Sequence, residues 1–245
     1  MISIENIITL WQNLLLEKKI FLLSKSKVAL THVSLALIGL LFPLKWMHVF
    51  IPVLPEKLKI FSDAPVPLLI GICYDIIIKD VPEDIIVFDV DKNSFIQYNE
   101  QIVDEPTKLM QQLRKRLEKF NKKYDNPVDK KNVRQLEVLF KNRLSYEAND
   151  IEPLNASEVR DIFYEFFINL LKNYEAYVGN SKEITFNFDQ FLRDHNSDTG
   201  SFLSLLCETN VFLVFIDSFM DIEKNESLQF FLEYYYVVNF QFCQG

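Results

Sequence analysis

From Val28 to Phe42 the chain carries no charged side chain and few polar ones. At helical spacing this stretch is apolar nearly all round, so a helix here demands burial on most of its sides. Thr31, His32 and Ser34 interrupt it, lysines flank it, and even extended to Leu44 it sits at the short limit of a membrane span. It therefore reads as a buried helix, stopped by Pro43. Such a helix needs apolar surfaces around it.

The neighbouring segments can supply them. Ile4–Leu16 repeats Ile7, Ile8, Trp11, Leu14 and Leu15 at helical spacing, with Lys18 and Lys19 at its end, where cations suit the helix dipole. Ile20–Leu23, His48–Val53, Pro65–Ile72 and Ile85–Val90 read as strands, and Phe95–Gln97 as a hairpin return. Pro65 and Pro67 confine theirs to an edge or to the start of a strand. Strands alternating with helices predict a sheet with covered faces.

After Pro106 the strand signal disappears. Leu109, Leu113 and Leu117 recur every four residues, and Leu136, Leu139, Phe140 and Leu144 continue a helical pattern. A polar break runs from Ser145 to Ser157. Val159–Tyr177 is a predicted amphipathic helix with Ser157 as N-cap and Gly179 beyond its end. Phe202–Cys207 and Val211–Met220 are two more, divided by a cap at Thr209, and residues 225–242 form a last aromatic helix or extended tail. The predicted fold class is α/β followed by all-α: a central sheet flanked by helices over residues 1–105, then a helical segment over 106–245. Only five Gly and nine Pro in 245 residues suit long helices better than many short strands.

The chemistry-bearing residues are sparse. The glycines fall too far apart for a dinucleotide fingerprint or a P-loop, and no serine occupies a nucleophile elbow. His32, His48 and His195 are isolated, without metal-ligand spacing to cysteine, and His48 reads as a core or strand histidine. Cys73, Cys207 and Cys243 sit in apolar or helical contexts and fit a reducing compartment. Met1–Glu17 has no basic n-region followed by a small-residue cleavage site, so it does not read as a signal peptide. Asp89, Asp91, Asn93 and Glu100 fall at EF-hand positions. Ser94 stands where the sharp turn needs glycine, and a strand precedes Asp89, so the segment reads as an acidic strand-end turn and no metal site is expected.

A formal net charge of −8 makes nucleic acid a poor partner. The charge is uneven, however. Arg114, Lys115, Arg116, Lys119, Lys122, Lys123, Lys130, Lys131 and Arg134 face only Glu118, Asp125 and Asp129 in the same stretch. The plain reading is a solvated helix face. The sharper one is weak contact with anionic membrane through Lys119, Lys122 and Lys123.

The specific signal lies in larger motifs. Leu16-Glu-Lys-Lys-Ile-Phe-Leu-Leu-Ser24, Phe42-Pro-Leu-Lys-Trp-Met-His-Val-Phe-Ile-Pro-Val-Leu-Pro55, Asp63-Ala-Pro-Val-Pro-Leu-Leu-Ile-Gly71 and Asp84-Ile-Ile-Val-Phe-Asp-Val-Asp91 follow one another. In that order and spacing they resemble the central segment of the DENN domain family. Val159–Tyr174 and Phe202–Ile216 resemble its downstream helical segment, within about 157–222. Most of these residues have a structural reading first: the prolines fix strand ends, and Trp46 plugs a core with its indole N–H paired.

The resemblance implies a sheet flanked by helices, of the DENN C-terminal-lobe type, joined to a helical subdomain. It implies binding of a Rab-family small GTPase and guanine nucleotide exchange in membrane trafficking, by stabilising the nucleotide-free GTPase. That role needs no cofactor, catalytic residue or metal of its own, and implies a cytoplasmic protein peripheral to endomembranes. The family's upstream longin-like lobe does not precede the first motif, so it is expected in cis or in trans, and the chain alone is expected to exchange poorly. Candidate GTPase contacts are Phe50 and Ile51, adjacent strand residues on opposite faces, and Asp89, Asp91 and Asn93 in the strand-end turn. The alternative is a non-exchanging DENN-like scaffold.

Overall fold

Serine side chains start the first two helices. In a computed structural model, which describes residues 2–75, 81–99, 106–124, 154–179 and 186–218, Ser3 accepts the Asn6 N–H ahead of α1 (Ile4–Leu15), and Ser26 accepts that of Ala29 ahead of α2 (Lys27–Gly39). Several sequence readings lie outside the described residues: the helical pattern of Leu136, Leu139, Phe140 and Leu144, the basic Lys130, Lys131 and Arg134, the tail at 225–242, Glu100 and Cys243.

Five strands form one mixed sheet: β1 (Lys19–Ser24), β2 (Val49–Ile51), β3 (Leu68–Cys73), β4 (Ile85–Asp89) and β5 (Ser94–Gln97), in the order β2-β3-β1-β4-β5. The first four run parallel and β5 returns antiparallel to β4, as the hairpin reading expected. All of β3 and β4 is buried, which explains their unbroken apolar runs. Pro65 and Pro67 precede β3, which lies inside the sheet; the parallel edge is β2.

Gly71 shows why the β2–β3 crossing is tight. A Cβ there would lie 2.0 Å from the Pro52 carbonyl oxygen and 3.2 Å from Leu30 Cβ. The Gly71 carbonyl also accepts the Leu54 N–H at 2.7 Å. Only a residue without a side chain lets the chain leaving β2 pass so close to β3.

The expectation that α2 is buried on most sides is corrected. Only Leu30, Ser34 and Leu37 are buried along it, while Val28 is 52% and Leu35 49% exposed. The helix packs one face on β1 and β3 and turns the other to solvent. Lack of charge on a helix does not require a covered surface, since much of any folded surface is apolar.

Beyond residue 106 lie α3 (Thr107–Tyr124), α4 (Leu154–Leu170), α5 (Phe188–Cys207) and α6 (Asn210–Asp217). Among the described residues there, β pairing is limited to one isolated bridge, Val178 with Phe186. Two helix readings are corrected. The Val159–Tyr177 helix begins at Leu154, so Ser157 is inside it, and it ends at Leu170 before Asn173 at φ 59 and a 3-10 turn at Tyr174–Tyr177. Phe202–Cys207 is only the end of α5, which starts fourteen residues earlier behind an Asn187 cap. The polar run Asp194–Gly200 hid its first half, because Asn, Asp, Ser and Gly favour loops and caps. Thr209 caps α6 as expected, accepting the Phe212 N–H.

One apolar core joins both parts of the chain. It takes Ile8, Trp11 and Leu15 from α1, Leu22, Leu69 and Phe88 from the sheet, and Leu113, Phe167, Phe202 and Phe212 from the later helices. Trp11, with no exposure, sits against Phe163, Phe166 and Phe167 at ring distances of 4.9, 5.1 and 5.6 Å, and its indole N–H donates to the Leu40 carbonyl. Trp11 is thus the fully buried plug, while Trp46 packs at the edge of the same core with its indole N–H paired as expected. Trp46 is partly buried and donates to the Val49 carbonyl at 3.3 Å, which holds the start of β2. The opposite sheet face carries a second cluster of Phe21, Leu68, Ile70, Ile72, Ile85 and Val87, with Leu54, Ala64 and Val81 against it.

Candidate functional site

The turn between β4 and β5 holds three of the five candidate contacts, and each is engaged within the chain. Asp89 is fully buried: its Oδ1 accepts the Lys92 N–H, its Oδ2 lies 2.9 Å from Lys92 Nζ, and the Tyr74 hydroxyl sits beside it. Burial pushes the Asp89 carboxyl up, but the neighbouring Tyr74 hydroxyl and the Lys92 ammonium and N–H outweigh it and hold the group below the usual carboxylate range. Burial and the neighbouring Asp89 carboxylate push the Tyr74 phenol well above its ordinary value.

Asp91 and Asn93 reach outward to the helix starts. Asp91 accepts the Ser24 hydroxyl at 2.7 Å and the Lys25 N–H at 2.8 Å, just ahead of α2. Its charge lies where a helix N-terminus favours an anion. Asn93, at φ 53, accepts the Ser3 N–H and the Asn6 side-chain amide through Oδ1, and its carbonyl accepts the same amide. A single turn thus ties the N-termini of α1 and α2 to the C-terminal edge of the sheet. An EF-hand geometry is not formed over the described part, since Asp89 begins the turn as the end of β4.

Phe50 and Ile51 lie on the edge strand β2 and point to opposite faces as expected. Phe50 packs against the large core and Ile51 against the second cluster, and both are partly buried. Beside them His48 Nε2 lies 2.8 Å from Glu17 Oε1. Glu17, at φ 53, also accepts the Val211 N–H at 2.8 Å and the Asn210 side-chain amide at 3.4 Å. One carboxylate therefore links the α1–β1 turn, the approach to β2 and the start of α6. Sequence reasoning missed Glu17, because its partners lie up to 194 residues away.

At the other end of the strands, Asn13, Glu17, Lys18, Lys19, Glu83 and Asp84 line part of an open cavity of about 440 Å³. Lys19 pairs with Asp84 at 2.9 Å, and that hydrogen bond holds the Asp84 carboxyl below its ordinary range. Among the described residues no cluster of three or more His, Cys, Asp or Glu side chains is placed to hold a metal, and no helix is long and apolar enough to cross a membrane. Cys73 and Cys207 are buried free thiols; burial pushes Cys207 up to about 12, which leaves it unreactive.

The basic helix divides its charges. Arg114 pairs with Glu5 at 3.2 Å, Arg116 with Glu165, and Lys123 with Glu158 at 2.9 Å. Lys119 and Lys122, two of the three candidate membrane contacts, are exposed on α3; Lys123 is the one turned toward α4.

Residues 1–93 match the family model of the DENN (AEX-3) domain, which bears out the resemblance read from the central motifs. The chain is 27% identical to human DENN domain-containing protein 2B over 221 residues, 88% of this chain and 18% of that protein. It is 28% identical to human DENN domain-containing protein 2C over 226 residues, 88% of this chain and 22% of that protein. A third relative, Elicitor of plant defense protein 1 from Fusarium odoratissimum, is 38% identical over 120 residues, 47% of this chain and 12% of its own length. The chain spans about a fifth of the length of the human relatives it matches.

Proposed function

With residues 1–93 matching the DENN family, we propose that this chain engages a Rab-type small GTPase and promotes exchange of its guanine nucleotide. The observation that carries the reading is that the matched segment contains the whole parallel part of the sheet, β1 to β4, with α1, α2 and the turn that clasps them. Exchange of this kind uses binding energy alone. A surface that holds the nucleotide-free GTPase more tightly than the loaded one must, by linkage, weaken nucleotide binding by the same factor. Displacing the switch segments from nucleotide and magnesium is the structural route. The setting is an endomembrane on which the GTPase resides, with a longin-like lobe in cis or in trans completing the surface.

Two parts of the matched segment suit the contact. Phe50 and Ile51 form the edge strand, whose outer backbone is unpaired among the described strands. Val28 and Leu35, two turns apart on the outer face of α2, add half-exposed apolar side chains of the kind that anchors interfaces. Asp91 and Asn93 shape this surface by fixing the helix starts, and Asp89 holds their turn through Lys92. Release of labelled GDP from a panel of Rabs tests the reading. The chain alone is expected to accelerate release weakly, and with the longin-like lobe supplied to accelerate it strongly from at least one; Leu35→Asp should then reduce that rate about tenfold, the effect of losing ~1.4 kcal/mol of contact, without lowering Tm. No acceleration on any Rab with that lobe present would contradict exchange. Binding that ignores nucleotide state would favour the scaffold.

A further inference from the structure

We propose that the outer face of α3 is a contact for an anionic lipid surface, formed by Lys115, Lys119 and Lys122, with Lys108 exposed along the same ridge. This inference does not rest on nucleotide exchange. At 3.6 residues per turn the three lysines fall within about 60° of one another and diametrically opposite Met110, Leu113 and Leu117. Those three are buried in the core, so the lysine ridge points directly away from the described core. The cations on the flanks do other work: Arg114 ties α3 to α1, while Arg116 and Lys123 tie it to α4. Lys115, Lys119 and Lys122 make no ion pair with a described residue. The helix is thus held by its sides, and its crest is left as a positive line on a chain of net charge −8.

The chemistry of the crest selects the partner. Lys115 and Lys122 are separated by two turns, about 10 Å of straight helix, with Gln111, Gln112 and Glu118 beside them and no aromatic or large aliphatic side chain between. A protein interface draws its energy from buried aromatic or apolar anchors, which this face lacks. Nucleic acid binding needs more phosphate contacts than three lysines on an acidic protein provide. A bilayer rich in anionic headgroups asks only for charge near its plane, and each lysine there strengthens binding roughly fivefold.

Co-sedimentation of the full chain with vesicles of phosphatidylcholine, alone or mixed with phosphatidylserine, tests this at low and high salt. The chain is expected to bind the mixed vesicles only, and salt should release it. The triple variant K115E/K119E/K122E is expected to lose more than tenfold in binding while its circular dichroism stays unchanged. K45E/K57E/K172E, the same change in net charge at exposed lysines elsewhere, should retain most of it, as should K123Q. Equal loss in the two triple variants would reduce the effect to net charge and overturn the assignment. Failure of the chain to bind phosphatidylserine vesicles at low salt would overturn it too. Capture of an acidic protein abolished by the α3 triple variant, with vesicle binding intact, would give the crest to a protein partner instead.

Discussion

Asp89 is a buried carboxylate whose charge is balanced by Lys92, with the Tyr74 hydroxyl beside it. Its folded pKa lies below the unfolded value of roughly 3.9, so on acidification the unfolded chain takes up the proton first. Its contribution is therefore complete above about pH 4 and is lost as pH falls through the folded value. Asp89→Asn should lower stability at pH 7 by about 1–3 kcal/mol and flatten the acid limb of a Tm-against-pH curve. An unchanged acid limb would mean other carboxylates carry it. Gly71 makes a steric demand instead. Gly71→Ala forces a methyl into the Pro52 carbonyl at 2.0 Å, and the denaturant midpoint should fall by an equivalent of about 3 kcal/mol or more. In sequence Gly71 was visible only as the end of a motif, because the atom it avoids belongs to a residue placed by folding.

At the scale of elements, the β4–β5 turn acts as a clasp. Ser24, Lys25, Ser3 and Asn6 all hydrogen-bond to Asp91 or Asn93, so the turn sets where α1 and α2 begin relative to the sheet. Asp91→Ala removes two of those bonds and the anion facing α2. Thermal melts should show a loss of about 1–2 kcal/mol, and amide exchange in the first turn of α2 should speed up more than in α4. A variant with unchanged melting and lowered GTPase binding would return Asp91 to the contact surface. Strands were the most legible elements, since fully buried parallel strands write unbroken runs such as Leu68–Ile72 and Ile85–Phe88. Helix limits were less so. The break after Leu170 is made by Asn173 in a left-handed conformation, which periodicity does not encode, and α5 is crossed at its middle by the polar run Asp194–Gly200, which resembles a loop.

The whole molecule is organised by one core in which α1 packs through Trp11 against three phenylalanines of α4, more than 150 residues later in the chain. The sequence division at residue 105 therefore separates textures, while the apolar cluster runs across it. The fold class was readable from period and composition. The site was readable only as motifs, because contacts such as Glu17 with Val211 and Asp91 with Ser24 join residues that no local pattern relates. The central claim is that this scaffold prefers an empty GTPase. The most direct test is titration of the chain, with a longin-like lobe supplied, against each member of a Rab panel in nucleotide-free and GDP-loaded forms, read as two dissociation constants. The proposed function predicts at least one Rab whose nucleotide-free form binds ten times tighter or more, a difference of at least ~1.4 kcal/mol. Equal constants for the two forms of every Rab that binds, or no binding across the panel, would contradict it.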